Sequence, residues 1–90
     1  MNTVENEVVQ LLCTKFHCAQ EALEHGIDMP LTGSPFYLSD VEMVYLLFEV
    51  EKKYQLHIDE KFLAEYGFST VRRIAETVER CMKDGKAVTD

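Results

Sequence analysis

The sequence is poor in positive charge. Its 90 residues contain 9 Lys and Arg against 16 Asp and Glu, and its formal net charge is −7. Nucleic acids need a basic patch for their phosphates, and anionic membrane surfaces attract basic segments, so this balance argues against both as partners. An acidic protein is instead steered towards basic patches on other proteins.

Long apolar runs and targeting signals are also lacking. No run approaches the ~18 apolar residues that a membrane-spanning helix needs. Residues 1–9 predict a capped amphipathic helix with acidic residues, which differs from the basic and apolar pattern of a signal peptide. The 3 cysteines are an odd number without paired spacing, which is typical of free thiols in a reducing compartment. We therefore expect a cytoplasmic protein.

Motifs for metal binding are missing, because the chain has no C-x-x-C and no H-E-x-x-H. Cys13 and His17 are four residues apart and so share a face of the first predicted helix, with Cys18 adjacent and His25 as the one nearby addition. This set makes at most a partial metal site or a thiol–imidazole pair, whereas a metal site needs three or four ligands. We expect no metal, and we expect Cys81 to be a core thiol of the last helix.

A pair of catalytic carboxylates is the other chemistry to consider. Four carboxylates lie on the central predicted helix: Asp40, Glu42, Glu49 and Glu51. Two of them would need a pocket to act as general acid and base, and a helical domain of 90 residues has little room for a substrate cavity. We interpret them as helix caps and a solvated recognition strip, and we expect a protein that is not an enzyme and has no catalytic residue.

Helical periodicity is the main pattern that the sequence does contain. Apolar residues recur at helical spacing over residues 3–17, 38–54, about 59–66 and about 69–83. Residues 18–37 form a long connection rich in turn formers, in which residues 18–24 fit one or two helical turns closed by Gly26. We predict one all-α domain over residues 1–83, a bundle of three longer helices and one short helix with a long loop between the first two. A flexible tail over residues 84–90 follows.

The central helix, residues 38–54, is the most informative stretch. Ser39 and Glu42 have the spacing of a capping box. Apolar side chains cover an arc of roughly 260° around this helix, whereas a surface helix needs a stripe only ~100° wide or somewhat more. Part of the arc is therefore exposed as an interface, or is covered by Phe36 and Leu38 of the long loop. The side chains concerned are Met43, Tyr45, Leu46 and Phe48, of which the two aromatic ones are the best candidates for partner contact.

Three segments of the chain follow the pattern of one family. They are residues 1–12 (MNTVENEVVQLL), residues 44–58 with Val44, Leu47, Val50, Glu51, Tyr54 and a Leu-His-Ile piece, and residues 68–71 (FSTV). In sequence, order and length they resemble the first helix, the second helix with its short I-x-I piece, and the start of the last helix of acyl carrier proteins. The resemblance covers roughly residues 1–82 and implies an acyl-carrier-like helical bundle.

The resemblance also implies a site. Acyl carrier proteins hold their cargo on a 4′-phosphopantetheine arm, attached to the serine of an Asp-Ser-Leu motif at the start of the second helix. Here Asp40 is aligned with that serine, and Ser39 stands one residue earlier. A carboxylate cannot form the stable phosphodiester. Either the protein carries no cofactor, or Ser39 (less favourably Ser34 in the loop) holds 4′-phosphopantetheine. We favour a helix-capping role for Ser39 and no cofactor.

The same resemblance implies partners. Acidic residues on the second helix of acyl carrier proteins dock onto basic patches of partner enzymes, and the corresponding helix here carries such residues. We predict an acyl-carrier-like, non-catalytic protein that docks onto biosynthetic or peptide-modifying enzymes through Glu42, Met43, Tyr45, Phe48 and Glu49. Two alternatives stay open: a genuine acyl or aminoacyl carrier modified at Ser39, and an oligomeric helical module that associates through the surplus apolar arc. We expect a monomer, with self-association as the alternative.

Overall fold

The structure is a computed structural model that describes residues 2–83, and within that range the side chains of all residues except Phe62, Glu65 and Tyr66. The described residues form five α-helices and no strand. In chain order the helices are α1 (Thr3–Phe16), α2 (Gln20–His25), α3 (Asp40–Tyr54), α4 (Glu60–Tyr66) and α5 (Val71–Lys83). The all-α fold is therefore confirmed, whereas the tail predicted over residues 84–90 lies outside the described residues.

Reciprocal caps fix the starts of α1 and α3. Asn2 accepts a hydrogen bond from the backbone N–H of Glu5 at 2.8 Å, and the Glu5 side chain accepts one from the Asn2 N–H at 3.0 Å. Ser39 and Glu42 make the same pair at the start of α3, at 3.1 and 2.8 Å. Each pair satisfies two backbone groups that lack a helical partner. Both helices thus begin where their sequence spacing predicts.

The starts of the remaining helices differ in part from expectation. α2 is a separate short helix inside the long connection, and its Leu23 is fully buried. Asp59 stands at the N-cap position of α4, where its place before the predicted helix favours a capping role, but its side chain makes no capping hydrogen bond. Its carboxylate lies instead 3.6 Å from Nε2 of His57. α5 begins after Thr70, whose hydroxyl accepts the Arg73 N–H at 3.1 Å.

One core joins these helices to the long connection. α1 packs against α2, α3 and α5, and α5 also packs against α4. Leu31 and Leu38 of the connection are buried, and the Leu31 N–H donates to the Ser69 carbonyl at 2.8 Å. The core also contains Val8, Leu12, Leu46, Val50, Ile74, Val78 and Cys81. The core position predicted for Cys81 is confirmed. Because the buried residues of α3 lie on one side of the helix, its opposite side is left to solvent.

Candidate docking face on the central helix

The outer side of α3 is apolar although it faces solvent. Val41 is 62% exposed, Val44 49%, Tyr45 59% and Phe48 57%. These positions follow the i, i+3, i+4, i+7 spacing, so their side chains lie along one face of the helix. We call these four residues the apolar stripe. A contiguous exposed apolar surface of this kind is typical of an interaction site.

The inner side of α3 packs into the core. Leu46 and Val50 are fully buried, and Met43 and Leu47 pack against the core while remaining partly exposed. The broad apolar arc of the sequence is therefore two surfaces, one buried and one exposed. Phe36 and Leu38 of the connection also pack in or against the core and leave the stripe open.

The predicted contact residues are divided between these surfaces. Tyr45 and Phe48 stand on the exposed stripe, whereas Met43 lies on the inner side. Val41 and Val44 belong to the stripe but are missing from the predicted contact set. Their spacing from Tyr45 and Phe48 is the sequence signal that identifies them.

Carboxylates separate the stripe from the core along both edges. At about 100° per residue, Asp40 and Glu51 fall on one side of the stripe and Glu42 and Glu49 on the other. Lys52 stands near the carboxyl-terminal end of the stripe. We call the two pairs of carboxylates the acidic edges. An apolar centre with acidic edges is complementary to a partner surface with an apolar centre and basic edges.

Ser39 and Asp40 lie at the exposed beginning of this face. The Ser39 Oγ accepts the Glu42 N–H at 3.1 Å, and the Glu42 Oε1 accepts the Ser39 N–H at 2.8 Å. Asp40 is the first helical residue, and its exposed carboxylate is favourable beside the amino-terminal end of the helix dipole. The Ser39 side chain therefore has a structural role of its own, which is to cap α3.

An open groove of about 790 Å³ adjoins the stripe where α3 ends and α4 begins. Phe48 belongs to both the stripe and the groove. The groove is also lined by the apolar Leu47 and Leu63, by the carboxylates of Glu51, Asp59 and Glu60, and by His57 and Lys61. We call this the α3–α4 groove. It gives the apolar stripe a concave extension whose rim carries charge.

His57 lies between two carboxylates at the rim of this groove. Its Nδ1 is 3.3 Å from Oε2 of Glu51, and its Nε2 is 3.6 Å from Oδ1 of Asp59. Glu51 Oε2 also accepts the Ile58 N–H at 2.8 Å. The position of His57 between Leu56 and Ile58 predicts a solvent-facing side chain, and it is 69% exposed. The contacts depend on Gln55, whose left-handed φ of 53° reverses the chain and brings residues 57 and 58 back to α3.

A second groove, of about 420 Å³, lies between α1 and α3. Glu49, predicted to contact a partner, lines it together with Lys52 and Lys53, and α1 contributes Glu7 and Lys15. The two signs of charge are mixed here, so this groove has no clear preference for an anion or a cation. The acidic character of α3 is concentrated beside the stripe.

The two cysteines of the predicted metal or nucleophile candidate are in settings that disfavour the thiolate. Cys13 and Cys18 are partly buried free thiols. Burial raises the pKa of both, with Glu24 adding to the effect at Cys13, and Cys13 and Glu42 adding to it at Cys18. A raised pKa lowers the thiolate fraction, and the thiolate is the reactive form. Among residues 2–83, no three His, Cys, Asp or Glu side chains are arranged to hold a metal ion.

No helix within residues 2–83 combines the length and apolarity needed to cross a bilayer. Comparison of the chain with protein-family models, with curated proteins and with solved structures gave no match.

Proposed function

We propose that this chain is an acyl-carrier-like, non-catalytic protein that docks onto biosynthetic or peptide-modifying enzymes in the cytoplasm, and that it does so without a phosphopantetheine arm. The outer side of α3 is the surface that partners bind. The protein acts as a monomer that presents this surface to its partners.

The observation that carries this proposal is the apolar stripe between its acidic edges. The four side chains of the apolar stripe are about half exposed or more. In the protein without a partner, they therefore do not contribute the free energy that burial of apolar surface provides. A partner that covers the stripe recovers that burial. Aromatic residues such as Tyr45 and Phe48 are also common among the side chains that dominate binding energy.

The order of the helices supports the carrier-like part of the proposal. Three helices of 14, 15 and 13 residues are joined by a long connection after the first and by a short helix of 7 residues before the last. This is the sequence of elements that the resemblance to acyl carrier proteins implies. The three free cysteines suit a reducing cytoplasm.

The absence of an arm is supported by the start of α3. Asp40 occupies the position aligned with the family serine, and the neighbouring Ser39 hydroxyl is held in a capping hydrogen bond. Attack on coenzyme A by Ser39 would compete with this cap for the hydroxyl oxygen. We therefore expect no change in intact mass after incubation with coenzyme A and a broad-specificity phosphopantetheinyl transferase. A single pantetheine adduct that disappears in Ser39→Ala would show instead that the chain is a carrier modified at Ser39.

Docking is tested by site-specific photo-crosslinking in cells that make the protein. A photoreactive phenylalanine analogue replaces Tyr45 in one variant, Phe48 in a second, and Met82 of α5 in a third. Met82 is the matched control because it is also an exposed apolar side chain, at 52%. We expect the two α3 variants to form adducts with an enzyme that has a basic surface, and the Met82 variant to form none with that enzyme.

Two outcomes contradict the proposal. Equal adducts from Met82 and from the α3 positions would show that the stripe has no special role. Adducts of twice the mass of the chain from the α3 positions would show that the stripe is covered by a second copy, which is the oligomeric alternative.

A further inference from the structure

The outer face of α3 combines exposed aromatic rings with carboxylates. Tyr45 and Phe48 expose their rings between the acidic edges, and a third exposed ring, Tyr37, precedes α3 in the chain. The planar guanidinium of arginine stacks on aromatic rings and pairs with carboxylates through two hydrogen bonds. The ammonium of lysine is a compact and strongly hydrated point charge. An apolar aromatic surface edged by carboxylates therefore favours arginine.

We propose that the partner segment that covers this face is an amphipathic helix bearing arginine, and that one of its arginines enters the α3–α4 groove between Glu51 and Asp59. This inference rests on the proposed function, because it specifies the chemistry of the partner that docks on the apolar stripe. It adds a selectivity that the stripe alone does not give.

The groove supplies the geometry for that arginine. Glu51 and Asp59 approach one planar nitrogen-containing ring, His57, at 3.3 and 3.6 Å. A planar group with nitrogen donors on two sides therefore fits between the two carboxylates. The His57 side chain is 69% exposed, so it can turn into solvent without opening the core. An arginine that replaces it places its aliphatic stem on the apolar lining of the groove, which includes Leu47 and Leu63.

Phe48 joins the two parts of the surface. Its ring lines the α3–α4 groove and also ends the apolar stripe. Glu51 follows Phe48 by three residues, so the two side chains are neighbours on the surface of α3. A guanidinium held by Glu51 can therefore contact the Phe48 ring. The stripe itself runs from Val41 to Phe48, about 10 Å along the helix, which matches roughly two turns of a partner helix.

Charge argues against a second copy of this chain as the occupant. Both edges of the stripe carry carboxylates, and the whole chain has a net charge of −7. Two such faces packed against each other bring like charges together, which is unfavourable. A helix with apolar residues in the centre and arginines at the edges has the opposite arrangement.

The test uses three fluorescein-labelled designed peptides of about 18 residues, long enough for roughly five helical turns. All have the same leucine stripe, and their flanking residues are Arg in one, Lys in the second and Glu in the third. Fluorescence anisotropy measures the dissociation constant of each with the full chain. We expect the Arg peptide to bind about five-fold or more tightly than the Lys peptide, and the Glu peptide not to bind.

Variants of the protein locate the selectivity. Phe48→Leu keeps an apolar side chain and removes the ring, so we expect the Arg-to-Lys ratio to fall towards one. We expect Glu51→Gln combined with Asp59→Asn to weaken binding of the Arg peptide. The amide oxygen introduced at position 51 can still accept the Ile58 N–H. His57→Ala removes the internal competitor, so we expect the Arg peptide to bind more tightly. Met82→Leu on α5 is the matched control, and we expect it to leave the dissociation constants of all three peptides unchanged.

The outcomes separate this inference from the proposed function. Equal affinity for the Arg and Lys peptides overturns the inference, as does an Arg-to-Lys ratio that Phe48→Leu leaves unchanged, and the proposed function stands if the α3 crosslinks form. No binding of either cationic peptide also overturns the inference. A concentration-dependent dimer in sedimentation that Phe48→Ser abolishes would identify a second copy as the occupant and would overturn both.

Discussion

The Ser39 hydroxyl caps α3, and its contribution to the free energy of unfolding can be measured by substitution. Its Oγ accepts the Glu42 N–H at the start of α3, and replacing a capping serine by alanine typically costs about 0.5–2 kcal/mol. We expect Ser39→Ala to lower the free energy of unfolding by about 1 kcal/mol, and Ser39→Asp to retain most of the stability because aspartate also caps helices. Urea denaturation followed by circular dichroism measures both.

Ser69→Ala is the matched control for this prediction. Ser69 is also an exposed serine just before a helix, but the cap of α5 is supplied by Thr70. We expect its stability to stay within about 0.5 kcal/mol of the unchanged chain. If Ser39→Ala and Ser69→Ala were equally stable, the Ser39 hydroxyl would have no capping role and would be available for other chemistry.

The sequence of α3 predicts where this helix begins and ends but not which of its apolar side chains are buried. Its start at Ser39 is predictable because capping depends on residues three positions apart, and its length is predictable because nothing in it breaks a helix. The division of its apolar arc is not predictable in the same way. Leu46 and Tyr45 are both apolar and adjacent, but one is fully buried and the other is 59% exposed. Only the position of the neighbouring helices decides between them.

The α3–α4 groove is a second feature that local patterns do not reveal. Glu51, His57 and Asp59 lie on a helix, in a connection and at a helix start, respectively, and no periodicity links them. They meet because Gln55 adopts a left-handed conformation. A glutamine is a weak sequence signal for this turn, since glycine is the usual residue there. The same turn explains why Asp59 pairs with His57 although its position next to α4 suggests a cap.

Tyr54 couples α3 to α1 in a way that depends on pH. Its hydroxyl donates to Oε1 of Glu7 at 2.5 Å. Burial raises the pKa of Tyr54, and the hydrogen bond to Glu7 and the negative charges of Glu7 and Glu79 raise it further. The folded pKa thus lies above the unfolded value of about 10. The resulting stabilisation is fully present below that pH and is lost as the pH rises through the folded pKa.

We therefore expect the difference in the free energy of unfolding between the unchanged chain and Tyr54→Phe to be constant from about pH 7 to 9 and to shrink above about pH 10. The decrease should be less than about 1 kcal/mol per pH unit, because solvent screens the exposed part of the ring. Urea denaturation at a series of pH values measures this difference. Tyr45→Phe, which removes a hydroxyl that is exposed on the stripe, is measured alongside it as the control. A Tyr54→Phe difference that stayed constant to about pH 11 would contradict the coupling.

The carboxylates between the two sides of α3 have a consequence for how this protein can change over time. Side chains of the stripe contribute little to the core, and those of the core do not reach the stripe. A substitution at Val41 or Tyr45 therefore changes the outer surface of α3 with only a small effect on the free energy of unfolding. Single substitutions along the stripe can therefore remodel the outer surface of α3 one side chain at a time while the chain stays folded.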